Sequence, residues 1–369
     1  MRFRSGNGDA LDCGIVGCGY IADVYMEAFR GLPGLRVRAA CDTDPGRLAG
    51  FCSRHRLDRG FASLEDLLRS CQPTFVVIAT PPVAHAALCR TALDHGVAAL
   101  VEKPACLSLA EAKALAERSA KTGVPVAVMQ NYRFKPPVLK AMALHRRGEL
   151  GELRRIDCVY HGGVPSGQKE AWRREERKNR LLLYEWAEHF LDIEVVFAGP
   201  VREILAVRTS RKKEEDSTLA VEALVKHSSG VTGSIDLQLF AGAESIRVEL
   251  HGSRSRVVLK FFPEGFASYR GVITPLHELW AESERAAKFA WNVAAAWLRP
   301  RGVTRRAFSH LRFIEEFVAF LEGRQDRLPV SLEDVFPTME VLDKLAAVVY
   351  APDWGGQRTF ESVCSRNGR

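Results

Sequence analysis

CGIVGCGYIADVY, residues 13–25, is an apolar run that ends in glycine and passes at once into residues at helical spacing. A short apolar run of this kind reads as a strand buried on both faces, as parallel sheets require. Its turn, Gly17-Cys18-Gly19-Tyr20-Ile21-Ala22, spells G-x-G-x-x-A. The first glycine permits a tight turn, and the second lets the backbone approach a pyrophosphate. The small third residue lets helix and strand pack closely, with the phosphates at the helix N-terminus. Such a pattern is weak alone, and a strand before it with a helix after it supplies the confirming context.

The same grammar continues to about Asn131. Strands are expected at LRVRAACD (35–42), TFVVIAT (74–80), VAALVEKP (97–104) and VPVAVMQN (124–131). Helices are expected after Gly19, at SLEDLLRS (63–70) with Ser63 as N-cap, from about 83 to 96, and at 108–123. This alternation predicts a doubly wound parallel sheet. Asp42 ends the second strand, 23 residues after Gly19. A carboxylate there accepts from adenosine ribose hydroxyls and repels a 2′-phosphate, which favours NAD and leaves NADP second.

Ligands of open α/β sheets bind outside the carboxyl ends of the strands. That rule selects Ala79, Thr80 and Pro81, with His85 following, then Glu102 and Lys103 before Pro104, and Asn131. With Gly17, Gly19, Tyr20, Ile21 and Asp42 they form the expected cofactor set. Tyr132 and Arg133, at the domain junction, and Trp172 and Arg173, on a polar loop, are expected to line a substrate pocket; each is as readily structural.

Beyond Pro136-Pro137 the pattern changes. After a connecting helix, period-two strands are expected at 153–163, 201–210, 217–230, 231–240, 245–253 and 255–262, with helices at 310–323 and 331–351. Consecutive strands of this kind form a largely antiparallel sheet, so the second domain is α+β. The expected division is a flexible extension at 1–10, a dinucleotide-binding Rossmann domain at 11–135, and a substrate and oligomerisation domain at 136–369. Helix 331–351 is expected to pack back on the first domain. Residues 263–309 look helix-rich, with no assigned role.

Length and composition agree with this: 369 residues exceed one ordinary core, and 47% hydrophobic with 26% charged residues describes a globular protein. The net charge of +7 is scattered, and its densest run, RREERK at 173–178, contains its own acids; nucleic acid is not an expected partner. Nine cysteines show no CxxC and irregular spacing, so no disulfide framework or zinc site is indicated. With no signal-peptide h-region before the fold and no bilayer-spanning run, a cytoplasmic protein is expected.

One buried-looking segment, LLLYEWAEHFLDIEVVF at 181–197, carries Glu185, Glu188, His189 and Asp192. At about 100° per residue, Glu185, His189 and Asp192 fall near 0°, 40° and −20°, with Glu188 near −60° at the margin. A lone helical histidine is usually structural, and no H-E-x-x-H or third-ligand pattern accompanies this one, so no metal is expected.

Taken together, the G-x-G-x-x-A turn, Asp42, ATPP (79–82), Glu102-Lys103-Pro104, and His189 with Asp192 resemble the Gfo/Idh/MocA oxidoreductases. Inositol dehydrogenase and glucose-fructose oxidoreductase are members. The likeness runs from Cys13 to about Gly356 and is strongest in the first 135 residues. It implies a Rossmann domain joined to an open-faced α/β domain, with the EKP lysine and a D-x-x-x-H helix meeting beside the nicotinamide. Lys103, Glu185, His189 and Asp192 would take those positions. Glu185 stands where the family usually has aspartate, and RKNRLLLYEWAE replaces its glycine-rich lead.

The expected reaction is hydride transfer between nicotinamide and a hydroxyl-bearing carbon of a sugar, cyclitol or polyol, phosphorylated and nucleotide-linked forms included. His189 is the expected base, Lys103 the partner of the reacting oxygen, and Asp192 and Glu185 the orienting carboxylates. Other readings stay open: a retained cofactor shuttling hydride between sugars, an NAD-assisted lyase or glycosidase, or a non-catalytic cofactor-binding subunit. A homodimer or homotetramer covering the open sheet is expected, with neither nucleic acid nor membrane as partner.

Overall fold

The computed structural model describes residues 11–163, 182–212, 217–262, 264–270, 305–351 and 357–359, with a few isolated positions between 279 and 287. The expected extension at 1–10, Trp172, Arg173, the run at 173–178 and most of 271–304 lie outside the described residues.

The first elements are β1 (Leu11–Val16), α1 (Tyr20–Phe29), β2 (Leu35–Cys41), α2 (Pro45–His55), β3 (Gly60–Phe61), α3 (Leu64–Cys71) and β4 (Phe75–Ile78). Then come α4 (His85–Asp94), β5 (Ala98–Glu102), α5 (Leu109–Thr122), β6 (Val126–Met129) and α6 (Pro136–Arg146). Next are β7 (Leu153–Gly163), a π-helical turn at Leu182–Ala187, α7 (Glu188–Ala198), β8 (Val201–Lys212), β9 (Ser217–His227) and β10 (Thr232–Gln238). The last are β11 (Phe240–Gly252), β12 (Arg256–Phe261), β13 (Glu264–Tyr269), α8 (Arg305–Leu321), α9 (Phe336–Val349) and β14 (Gln357–Thr359). Sequence periodicity locates the longer elements; α2, β3, β13 and β14 are additions from the structure.

The chain divides into two compact units, residues 1–134 with 302–339, and residues 135–301 with 340–369. The first contains a six-stranded parallel sheet in the order β3-β2-β1-β4-β5-β6. This is the Rossmann order, whose reversal between β1 and β4 opens a crevice at the strands' carboxyl ends. The apolar runs read as buried strands are buried: every residue of β4 and β5 is inaccessible or nearly so. Helix starts follow the sequence signals. Ser63 and Ser108 accept from the amides of Asp66 and Glu111, each at 3.2 Å, caps that contribute roughly 1 kcal/mol apiece.

The sequence reading places 136–369 in the second domain, with only helix 331–351 packing back on the first, whereas the structure assigns residues 302–339 to the first unit. The reason is aromatic. Phe313 and Phe317 of α8 are fully buried, Phe317 edge-on to Phe75 at 5.3 Å and Phe313 against Phe134 at 5.1 Å. Burying two such rings contributes roughly 3–6 kcal/mol. Downstream, Val128 N donates to Val330 O at 3.0 Å and Ser331 bridges Ala127, covering the β6 edge.

The second unit holds an eight-stranded sheet, β13-β12-β11-β7-β10-β9-β8-β14, antiparallel at every pairing but β7 with β10. Burial alternates residue by residue along β10. One face packs on α7, and the other carries ion pairs such as Arg208–Glu222, Arg256–Glu249 and His161–Asp236. Residues 264–269, expected to belong to a helix-rich stretch, are a strand in this sheet.

Candidate active site

In the first unit the glycine turn is built from its backbone outward. Gly17 has φ of +91°, and a Cβ there would lie 2.6 Å from Ala79 O. Only glycine serves both the left-handed conformation and that approach. Gly17 N donates to Cys41 O at 2.8 Å, and Ala79 N to Val16 O at 2.7 Å, so the turn is tied to the strands on either side. Gly19 is the N-cap of α1, carries no capping side chain, and has open space where a Cβ would stand. Ala22, the small third residue, is fully buried.

Asp42 closes this turn. Its Oδ2 accepts from Cys18 N and its Oδ1 from Asp44 N, both at 2.8 Å. Each carboxylate oxygen retains a second lone pair for a hydroxyl donor. Tyr20 is exposed and Ile21 half-buried above the helix start. At the end of β4, Ala79 is buried, Thr80 and Pro81 half-buried, and Thr80 Oγ1 is a buried hydroxyl with no hydrogen-bond partner in the structure. A dinucleotide fits these residues: an uncapped helix start for its phosphates, a carboxylate for its ribose, and an orphan hydroxyl beside the turn.

Around Lys103 the loop is braced from within. His85 is fully buried, its Nδ1 2.7 Å from Pro104 O and its Nε2 2.8 Å from Thr80 O. Burial pulls its pKa below the ordinary histidine value, against the upward pull of the two carbonyls and Glu102. The sequence reading puts His85 in the cofactor set; in the structure its ring nitrogens face backbone carbonyls of the two loops that hold Thr80 and Lys103.

Glu102 is buried with Oε1 3.7 Å from His310 Nε2, and the His310 ring stands edge-on to Tyr25 at 5.4 Å. Burial pushes the Glu102 carboxyl up, but His310, Tyr25 and the Lys103 charge outweigh it and hold the group below the usual carboxylate range. Lys103 itself is half-buried. Asn131, Tyr132 and Arg133 form a 3-10 turn after β6; Tyr132 is buried, and Arg133 donates to Asp334 O at 3.3 Å. Sequence reasoning missed Tyr25 and His310 as neighbours of Glu102, because they lie 77 and 208 residues from it in sequence.

In the second unit, α7 carries four buried ionisable residues: Glu188, His189, Asp192 and Glu194. His189 and Asp192 stand three residues apart in regular α-helix and share a face. Glu185 does not belong to that helix. It lies in the π-helical turn Leu182–Ala187, whose i→i+5 bonding holds more residues per turn. The 100° reckoning therefore holds from His189 to Asp192 and fails across Glu185. The turn is held by the Tyr184 hydroxyl, which donates to Asp343 Oδ1 at 3.0 Å, and by Trp186 against Tyr160 at 4.3 Å between ring centroids. Tyr160 is pushed up to about 12 by burial and by the Glu244 and Glu185 carboxylates. Glu188, expected at the margin, is fully buried. Among the described residues no three His, Cys, Asp or Glu side chains gather as a metal site.

A 3-2-1-4-5-6 parallel sheet with an open glycine turn and a carboxylate on its amide defines a dinucleotide-binding Rossmann protein, here joined to a mainly antiparallel α+β unit. The chain belongs to the Gfo/Idh/MocA oxidoreductase family. The family's NAD-binding Rossmann domain matches residues 11–130 and its C-terminal domain residues 138–258. The D-apiose dehydrogenase of Paraburkholderia graminis is 32% identical over 228 residues, 60% of this chain and 59% of that protein. That of Rhizobium rhizogenes is 30% identical over 230 residues, 60% of this chain and 64% of that protein. The matched region thus spans about three fifths of the length of these curated relatives. Among solved structures, the WlbA dehydrogenase from Bordetella pertussis, in complex with NADH and UDP-GlcNAcA, superposes with a TM-score of 0.77. The match covers 95% of this chain and 98% of that one at 17% identity, a likeness of fold.

Proposed function

We propose that this protein is an NAD-dependent dehydrogenase that oxidises a secondary or hemiacetal hydroxyl of a small sugar or polyol, with a free sugar as the leading substrate class. One observation carries the chemistry: α7 buries a histidine and a carboxylate on one face, in a chain whose other unit has a dinucleotide-binding turn and a lysine at a strand's carboxyl end. Likeness to two D-apiose dehydrogenases supports the substrate class.

Gly17, Gly19, Tyr20, Ile21, Asp42, Ala79, Thr80, Pro81, Glu102, Lys103 and Asn131 would hold or face NAD, and Asp42 favours it over NADP. Bound NAD supplies the hydride acceptor. His189 takes the hydroxyl proton as the carbinol is oxidised, a role that suits an imidazole at neutral pH. The Lys103 ammonium hydrogen-bonds the same oxygen and stabilises its developing negative charge. Asp192 orients the imidazole, while Glu185, with Tyr132, Arg133, Trp172 and Arg173, accepts or donates to the remaining hydroxyls. The protein is proposed to act in the cytoplasm as a homodimer or homotetramer. Among the described residues, eight free cysteines, all buried or half-buried, support that setting, and no helix is long and apolar enough to cross a membrane.

The test is NADH formation by the purified protein across free pentoses, hexoses, cyclitols and nucleotide sugars. Turnover with a free sugar or cyclitol is expected. Turnover confined to nucleotide sugars removes the substrate class, and silence throughout removes the dehydrogenase reading.

A further inference from the structure

The helix with the proposed base contributes one member of a second ionisable pair, which that chemistry does not use. Glu194 of α7 and His227 of β9 are both fully buried, with Glu194 Oε2 3.2 Å from His227 Nε2. The other ring nitrogen, Nδ1, lies 2.7 Å from Gly199 O, the carbonyl of the α7 C-cap residue. A carbonyl only accepts, so Nδ1 carries a hydrogen. In a neutral ring Nε2 is then bare, and its contact with Glu194 is a hydrogen bond only if the carboxyl donates.

The surroundings favour that arrangement. Burial pushes the Glu194 carboxyl up, and Asp157 of β7 adds to the push. His227 and the Cys158 thiol, also of β7, work against it without reversing it. The Arg155 guanidinium of β7, at longer range, also works against that push. Two neutral partners avoid the desolvation cost of a buried ion pair. Room for the carboxyl is made by the sheet: a Cβ on Gly233 of β10 would run into Glu194 Oε2.

The same turn that ends β9 grips the end of α7 a second time. Ser229 Oγ donates to Ala198 O at 2.6 Å, and Ser228 N donates to Pro200 O at 2.8 Å. Carbonyls at a helix C-terminus have no partners within the helix, and here side chains of the 227–231 turn supply them.

We propose that Glu194 and His227 are positioning residues: a protonated Glu194 carboxyl donates to His227, which donates to Gly199 O. This chain of two hydrogen bonds fixes α7, and with it His189 and Asp192, in one register on the sheet. The positioning role rests on the function proposed for α7; the protonation and bonding of the pair do not.

The experiment uses the full-length protein and three readouts. Infrared difference spectroscopy at neutral pH should show a protonated-carboxyl C=O band that is missing from Glu194→Gln; its absence from the wild type overturns the proposal. Stability supplies an arm independent of turnover. A carboxyl raised in the folded state favours folding at low pH, and that advantage is lost as pH rises above the unfolded value of about 4.3. Wild-type stability relative to Glu194→Gln should therefore fall as pH rises above that unfolded value, and a rise in that difference refutes the neutral pair. In the third readout, Glu194→Gln keeps a donor facing Nε2 and should retain most of the turnover that Glu194→Ala and His227→Ala lose. The loss should fall on kcat, at roughly 10-fold or more, with NAD affinity unchanged. Equal loss in Gln and Ala variants refutes the hydrogen-bond role. A wild type without turnover condemns the functional reading alone, since the infrared and stability arms still decide the pair.

Discussion

Asp42 shows how one side chain can be both structural and selective. It accepts from Cys18 N inside the glycine turn and from Asp44 N at the start of α2, so its charge is anchored where an adenosine ribose is proposed to lie. Asp42→Ala should lower NAD affinity by about 10–100-fold, the size of a lost charge-assisted hydrogen bond. NADP affinity should fall much less, because the repulsion of a 2′-phosphate goes with the carboxylate. Fluorescence titration with both dinucleotides checks this, and parallel losses contradict it. This residue was legible in the sequence, because a strand, a glycine turn and an acid at the next strand's end are local patterns. Glu194 and His227 were not. They lie 33 residues apart, and a glutamate in an apolar helix looks like a margin until the sheet strand that buries it is known.

The helix carrying His189 is where sequence periodicity succeeds and then fails. From Glu188 to Ala198 an α-helical period holds, and His189 and Asp192 keep the spacing read from the sequence. Before it, LLYEWA is as apolar as any helical stretch, and nothing in its composition announces a π turn; packing of Tyr184 on Asp343 and Trp186 on Tyr160 accompanies it. The wider turn offers a physical reason for glutamate at 185: a side chain displaced from the α-helical face gains one methylene of reach. Glu185→Asp should therefore raise the sugar KM by about 10-fold, the worth of one weakened hydrogen bond to a charged group, with the NAD dissociation constant unchanged. Steady-state kinetics beside a dinucleotide titration separates the two, and an unchanged KM removes this explanation of the glutamate.

Across the whole molecule, chain order and structural unit part company. α8 follows seven of the second sheet's eight strands in sequence, yet its phenylalanines complete the core of the first unit. An amphipathic helix shows in its sequence that it must bury a face, but not which unit receives it; the sequence reading therefore expected only helix 331–351 to pack back and missed the return of α8. Phe317→Ala should destabilise the dinucleotide-binding unit by about 3–5 kcal/mol, although it lies far from the glycine turn in sequence. Denaturant melts should show the loss, and added NAD should restore part of it by mass action. A melt that leaves NAD binding untouched while the second unit unfolds first contradicts the assignment of α8.

The central claim, that the lysine at the end of β5 serves hydride transfer to NAD, is tested most directly by Lys103→Met. Turnover of the best sugar substrate should be followed as NADH formation, with NAD affinity measured on the same preparation. In that variant kcat should be lower by about 10²–10⁴-fold, the worth of a group acting on the reacting proton or charge, with NAD still bound. Undiminished turnover, with the cofactor bound as before, contradicts the claim.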